Sequence, residues 1–335
     1  MENTQSLLRD SFGRQHNYLR ISLTEKCNLR CTYCMPAEGV PLTPSKDLMT
    51  AHELFELASI FTAHGVDKIR LTGGEPLVRK DFLQILQKLA TLPVSLTLTT
   101  NAVLVDRFIV DFKAAGLRKI NVSLDTLNPL RFQKITLKSN FEQVKKNLEL
   151  LIHEGFDVKI NVVLLKGVND DEIIHFVKWT AEQAYHIRFI EFMPFDGNNW
   201  DRSKTVGLKE IQKQISSHFG DDQIVSLPGE ANDTSKNFKI KGFTGTYGVI
   251  STVTNPFCDS CNRLRLTANG RIRNCLFSEK ESDLLAALRS GQPVEPIIEK
   301  VIRAKHAVRS GLDSPSAFAD PARHSKNRSM IRIGG

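Results

Sequence analysis

The chain of 335 residues is poor in several features that usually announce a function. No apolar run approaches the ~20 residues that cross a bilayer, so a helical membrane protein is excluded. Residues 1–17 are polar and mixed in charge and lack the apolar centre of a secretion signal, so a cytoplasmic setting is expected. No block of five or more like charges occurs, and aromatics make up only 7%. A nucleic-acid binder usually carries a clustered basic stripe with stacking rings, and that footprint is missing. The net charge of +8 still favours an anionic partner. There is no repeat of 20–50 residues and no low-complexity tract. His52-Glu-Leu-Phe-Glu56 lacks the second histidine of a zinc-protease helix, and the glycine-rich stretch 242–248 has neither a dinucleotide fingerprint nor a P-loop lysine.

What is present is an ordinary globular composition, 41% apolar and 24% charged. At about 150 residues per domain the length suits two domains, or one large α/β barrel with an extension. Strand patterns at 18–23, 68–72, 94–99, 119–124, 158–165 and 187–192 alternate with helical patterns at 51–63, 82–89, 107–115, 141–153 and 172–182. Several strands read as near-continuous Ile/Val/Leu runs, as in parallel strands covered on both faces. Six such units predict an α/β fold, a partial or complete β/α barrel over residues 1–225. The segment 227–237, rich in Gly, Pro, Asn, Asp and Ser, reads as a linker. Residues 226–335 then form a smaller α+β region, with short strands at 238–241, 247–253, 264–267 and 271–274, an Asn269-Gly270 turn, and helices at 283–289 and 294–304.

Cysteine is scarce, and its placement is the informative part. The six cysteines fall into two groups, Cys27, Cys31 and Cys34 as C-x3-C-x2-C, and Cys258, Cys261 and Cys275 as C-x2-C-x13-C. A disulfide framework does not suit a cytosolic chain of this size, which leaves metal or cluster binding. The first group lies just past the first strand, at the end of a barrel where chemistry is placed. Three thiolates hold three irons of a [4Fe–4S] cluster and leave one iron open to a small molecule. A closed zinc site needs four ligands, and this loop has no histidine. The second group by itself reads as zinc, a C-x2-C followed by a hairpin. Its fourth ligand is missing, because His306 and His324 are remote, so a second open cluster fits better. Arg263 and Arg265 share one face of a strand, and two adjacent guanidiniums match phosphate oxygens.

Cys27-Asn-Leu-Arg-Cys31-Thr-Tyr-Cys34-Met-Pro resembles the cluster loop of the radical S-adenosylmethionine (SAM) enzymes, and Gly73-Gly74-Glu75-Pro76 resembles their GGEP motif. With C-x2-C-x-R-x-R-x(9)-C near the end and a Gly334-Gly335 tail, the chain resembles the molybdenum cofactor biosynthesis protein A family, the GTP 3′,8-cyclases. That resemblance, from about Arg20 onward, implies two [4Fe–4S] clusters, one on each cysteine group. It implies SAM contacts at Tyr33, Gly74, Glu75, Ser123 and Met193. It implies GTP contacts at Arg20, Arg70, Thr99, Lys159, Arg263 and Arg265, the last two with the first cysteines forming the catalytic set.

The implied chemistry is reductive cleavage of SAM, hydrogen abstraction from C3′ of GTP by the 5′-deoxyadenosyl radical, and attack of C3′ on guanine C8. The product is (8S)-3′,8-cyclo-7,8-dihydroguanosine 5′-triphosphate, at the first step of molybdenum cofactor biosynthesis. Implied partners are a flavodoxin or ferredoxin as reductant, a second copy as homodimer, and the cyclic pyranopterin monophosphate synthase that consumes the product. The Gly-Gly tail is expected inside the active site. Independently, Arg20, Arg70 and Lys159 lie in three strands that can face one lumen, as a polyanion requires. Two positions depart from the family pattern: Asn101-Ala102 stands where Asn-Gly is usual, and Glu25-Lys26 where Asp-Arg is usual. Rival readings are another radical SAM enzyme with an auxiliary cluster, acting on a peptide, and a zinc-dependent RNA-binding module.

Overall fold

Six parallel strands carry the N-terminal two-thirds of the protein: β1 Tyr18–Ser22, β2 Lys68–Thr72, β3 Ser95–Thr100, β4 Lys119–Ser123, β5 Asp157–Leu164 and β6 His186–Glu191. They pair in sequence order, each with the next. The computed structural model describes residues 7–35, 39–230, 232–320, 323–324 and 327–334. Helices α1 Ala51–Ala63, α2 Phe82–Leu89, α3 Ile109–Ala114, α4 Pro129–Thr136, α5 Phe141–His153, α6 Ile173–Trp179 and α7 Leu208–Phe219 return the chain between or after the strands.

The helices start where the local chemistry directs. Thr50 accepts from the Glu53 backbone, and Glu53 reaches back to Thr50, so α1 opens on a reciprocal capping box. Leu54, Leu57, Ala58 and Phe61 then line its buried stripe at helical spacing. Each such leucine or phenylalanine contributes roughly 2 kcal/mol by leaving water. Asn128 caps α4 by accepting from Leu130 and Arg131, with Pro129 at the first turn. Among the described residues no helix is long and apolar enough to cross a membrane.

The C-terminal region extends both flanks of the same sheet. Strand β7 Ile224–Leu227 and β8 Lys236–Ile240 form an antiparallel pair, and β9 Thr246–Ile250 joins β8 to β6. The segment expected as a linker is thus the turn and flanks of a hairpin. On the other side β10 Arg263–Leu266 runs parallel to β1 and leads into β11 Arg271–Arg273 and β12 Ser282–Asp283. Helices α8 Leu284–Arg289 and α9 Glu295–Arg303 follow. Strands β9 and β10 are flanks of one twelve-stranded sheet and do not pair with each other.

The strands differ from the expected apolar runs in one functional respect. They alternate: Leu19, Ile21, Ile69, Leu71, Leu96, Leu98, Ile120, Val122, Val158, Ile160, Ile187 and Phe189 are buried in the main core. The intervening positions are mostly polar, Val163 and Ile190 excepted, and the pairing registers align them strand by strand: Arg265, Arg20, Arg70 and Thr97 in one row, Asn121, Lys159 and His186 in another. The Arg188 guanidinium on β6 is electrostatically coupled to Arg20 and Tyr18 on β1. Five successive pairings separate those strands, so in a flat sheet they would stand about 24 Å apart, at the usual strand spacing. The sheet therefore curls, and its polar face becomes an inner wall.

Candidate active site

The first cysteine loop leaves β1 and is pinned from below by the turn after β2. Gly73 and Gly74 make this contact possible. A Cβ on Gly73 would lie 2.6 Å from the Thr24 carbonyl oxygen, and one on Gly74 would lie 2.5 Å from that of Lys26. The Gly74 and Glu75 backbones donate instead to Thr24 and Lys26, each at 2.8 Å. Glu75 is buried and does not line the cleft above. Its carboxylate accepts from Thr100 Oγ1 at 2.8 Å, the Asn101 backbone at 2.7 Å and the Leu77 backbone at 3.1 Å. Burial raises its carboxyl to about 7 against those three donors. The side chain thus fixes the loop after β3, while the glycine backbone faces the cleft.

Asn101 in turn donates to Cys27 Sγ at 3.8 Å and to Asn28 at 2.7 Å. The residue that follows it, Ala102, is fully buried at φ 63°. Alanine thus adopts the left-handed conformation that glycine favours, and the loop keeps its bend at a cost of about 1 kcal/mol.

Cys27, Cys31 and Cys34 face a partly open cleft, together with Tyr33, Gly73, Gly74, Thr99, Ser123 and Asn161. Cys27 Sγ also accepts from the Leu29 backbone at 3.4 Å, and the Ile331 backbone donates to Cys34. Tyr33 donates to Asp125 at 2.7 Å, and Asp125 also accepts from the Val163 backbone at 2.8 Å. Burial pushes the Cys27 thiol up to about 11 and Cys34 to about 12, and the nearby Asp125 adds to the rise at Cys34. Three sulfurs with N–H donors and, among the described residues, no fourth cysteine or histidine lining the cleft suit a cluster with one open iron. Met193 lies outside this lining. It packs in a smaller apolar cluster that also takes in Tyr33, Phe192, Phe195 and Cys275.

Behind the cleft the inner wall is cationic. Arg20, Arg70, Arg263, Arg265 and Lys159 stand on β1, β2, β10 and β5, and Thr99 accepts from Arg70 at 3.4 Å. The same wall holds groups that the sequence reading had not singled out. Arg188 donates to Asn161 at 2.6 Å, Lys68 lies over the Tyr18 ring at 4.9 Å, and the Tyr18 hydroxyl accepts from Arg70. Their signal in the sequence was the polar beat of each strand, which by itself does not tell inner wall from outer surface. Arg70 faces the lumen, and its apolar neighbours Ile69 and Leu71 face the helices.

Burial, followed by repulsion from Arg70, brings Arg188 down to about 9. Burial also lowers Arg20 to about 10, with Arg70 and Arg263 adding to the fall. Lys159 and Arg265 shift downward for the same reasons, burial first and then neighbouring arginines. The buried Nε atoms of Arg188 and Arg263 make no hydrogen bond. So much like charge in a confined space is stable only opposite an anion.

The second cysteine group borders this wall. Cys258 and Cys261 lie on the 251–262 connection from β9 to β10, Cys275 lies just past β11, and the three thiols are close enough to perturb one another. Cys261 is held down to about 6: burial raises it, but Arg263 and Lys305 outweigh burial. The described part of the C-terminal segment reaches the lumen. Arg332 lies 3.6 Å from the Glu25 carboxylate, and Gly334 reaches Ser22 and Thr72 at the ends of β1 and β2. Gly335, the other expected tail glycine, is outside the described residues.

Two family models match the chain: the radical SAM superfamily over residues 21–180, and Molybdenum Cofactor Synthesis C over residues 185–311. The GTP 3′,8-cyclase of Thermodesulfovibrio yellowstonii is 39% identical over 333 residues, covering 98% of this chain and all of that protein. This chain belongs to the GTP 3′,8-cyclase family. Molybdenum cofactor biosynthesis protein 1 of Drosophila melanogaster is 46% identical over 301 residues, 89% of this chain, and the match spans 53% of that protein. The chain thus spans about half the length of several curated relatives in the family. Among solved structures, Streptococcus suis SuiB bound to S-adenosylmethionine superposes with a TM-score of 0.60 over 91% of this chain and 76% of that one, at 16% identity. That likeness supports the radical SAM fold, and family membership implies SAM and an iron–sulfur cluster.

Proposed function

We propose that the protein is a GTP 3′,8-cyclase, which converts GTP to (8S)-3′,8-cyclo-7,8-dihydroguanosine 5′-triphosphate. The observation that carries this reading is the run of cationic side chains on one inner wall, between a cysteine-lined cleft and a second cysteine trio. GTP brings about four negative charges, and Arg20, Arg70, Lys159, Arg188, Arg263 and Arg265 offer six positive ones.

Cys27, Cys31 and Cys34 would hold the first [4Fe–4S] cluster, and the second trio would hold another, whose free coordination site would serve to bind the guanine. When bound, the first cluster would pass one electron to SAM to give the 5′-deoxyadenosyl radical for hydrogen abstraction at C3′, and the reductant would supply a second electron, with a proton from water, to complete the dihydro product. The protein's own residues bind, orient and shield. The Gly73-Gly74 backbone, Tyr33 and Ser123 bound the SAM side of the cleft. Thr99 and Asn161 mark the passage to the cationic wall, whose forks grip the triphosphate so that C3′ and C8 face each other. The C-terminal segment keeps water from the reacting atoms. The reading includes a flavodoxin- or ferredoxin-type reductant, a homodimer, a cytoplasmic setting, and transfer of product to the cyclic pyranopterin monophosphate synthase.

The test uses anaerobically reconstituted protein, SAM, dithionite and GTP carrying deuterium at C3′. Deuterium should appear in the 5′-deoxyadenosine formed. Formation of unlabelled 5′-deoxyadenosine with no isomer of GTP would sink the reading.

A further inference from the structure

We propose that the Lys305 ammonium and the Arg309 backbone N–H form a donor pair aimed at the sulfurs of the second cysteine trio, with Lys305 setting the reduction potential of the group bound there. This rests on the reading of that trio as an iron–sulfur site.

Lys305 follows the end of α9 and is buried. Its Nζ donates to Cys261 Sγ at 3.4 Å and to the Arg263 carbonyl at 3.2 Å. Among the described residues no carboxylate lies within ion-pair distance of it. A buried ammonium is costly without an opposite charge, and the anion available here is a cysteine sulfur. Four residues on, the Arg309 backbone donates to Cys258 Sγ at 3.4 Å.

The chain takes an unusual path to make that second contact. Arg309, Ser310 and Gly311 all have positive φ, at 38°, 60° and 89°. Two consecutive non-glycine residues in the left-handed region cost about 1–3 kcal/mol each and persist only where surroundings enforce them. Here the Arg309 side chain does so: it is buried, donates to the Val253 carbonyl at 3.0 Å, and lies 4.4 Å from the Phe318 ring centre.

The two trios thus sit in opposite surroundings. Asp125 stands beside Cys31 and Cys34, and Glu75 beside Cys27, where Arg30 opposes it more weakly. Lys305, Arg263 and Arg309 surround the second trio. Reduction adds negative charge to a cluster, and hydrogen bonds or cations at its sulfurs favour the reduced form. The second site is therefore built to hold an anionic sulfur set, and Lys305 is its buried counter-charge.

The test uses the full chain with Cys27, Cys31 and Cys34 changed to serine, so that only the second trio can bind iron. It is reconstituted anaerobically and titrated by electron paramagnetic resonance. Lys305→Gln should bind iron with a midpoint potential shifted to more negative values, and Lys305→Arg should restore the parent potential. Loss of iron from Lys305→Gln but not from Lys305→Arg would equally support a need for the charge. An unchanged potential in Lys305→Gln, or loss of iron from both variants, would overturn the proposal and leave only a packing role. If the parent takes up no iron while native cysteines in the first loop do, the second-cluster reading itself is wrong.

Discussion

The Arg265 guanidinium donates to the carbonyl oxygen of Gly334 at 2.7 Å, so a residue of the C-terminal segment meets the cationic wall directly. Gly334 has φ 77°, and a Cβ there would stand 2.5 Å from Thr72 Oγ1 and 3.0 Å from Ser22 Cβ. Gly334→Ala should therefore lower GTP turnover by about tenfold or more, equivalent to ~1.4 kcal/mol. SAM binding should change little. Removal of Gly334 and Gly335 should have a larger effect. Unchanged turnover in both variants, measured by product formation, would show that the segment does not serve the reaction.

Cys275 lies at the boundary between the second trio and Arg265, to which it is electrostatically coupled. In Cys275→Ser, SAM cleavage at the first trio should persist while cyclisation is abolished, with about four irons fewer per chain. Iron analysis alongside 5′-deoxyadenosine and product assays checks this. Normal product formation would refute the role given to the second trio.

Tyr18 should make GTP binding depend on pH. Its phenol faces Arg20 on β1, Lys68 and Arg70 on β2, Arg263 on β10 and, across the lumen, Arg188 on β6. Burial raises it, but Arg70 and Arg20 outweigh burial and bring it down to about 7. As pH rises through 7 the phenolate forms and cancels one unit of positive charge facing the triphosphate. Wild-type affinity should then fall relative to Tyr18→Phe, about tenfold for one charge in a partly screened site. Calorimetry on both proteins from pH 6 to 8.5 cancels the titration of GTP itself. A constant ratio of affinities would remove Tyr18 from the binding wall.

His16 should shape stability below neutrality. It is fully buried, its Nδ1 lies 3.1 Å from the Leu8 carbonyl, and burial with Lys305 nearby lowers it from 6.5 to about 4. The unfolded chain binds this proton first, so stability is full above pH 6.5 and falls as pH drops toward 4. The loss is on the order of 3 kcal/mol. Glu75 and Asp125 act in the opposite sense over part of this range, because burial raises both carboxyls. The difference between wild type and His16→Gln isolates the histidine: denaturation midpoints should converge as pH falls from 7 to 4. Parallel curves would show that His16 does not titrate in this way.

Much of this was legible from residue order. The expected bounds of α1, α2, α5 and β2 match the observed ones, because apolar spacing, and for α1 the Thr50 cap, are local signals. The two cysteine trios were visible as spacing. The placement of Arg188, Tyr18 and Lys68 was not, since a strand's polar beat does not say which face the sheet will curl around. Nor could residue order show that β9 and β10 would extend opposite flanks of one sheet, because pairings across so many residues are set by the assembled core. Glu75 belongs to a motif tied to SAM, yet here it serves a neighbouring loop. Lys305 carried no motif at all. Its meaning comes from a contact with Cys261, 44 positions away.

The gap between β9 and β10 makes the curled sheet a split hoop, and the 251–262 strap is what ties its ends. Cys258 and Cys261 ride on that strap, while Cys275 stands beyond it on the β11 side. The cluster proposed for that trio would therefore also join the strap to the β11 side of the sheet. Its loss would leave the strap held by its own chain alone, and the Arg188 flank less firmly set against the Arg20 flank.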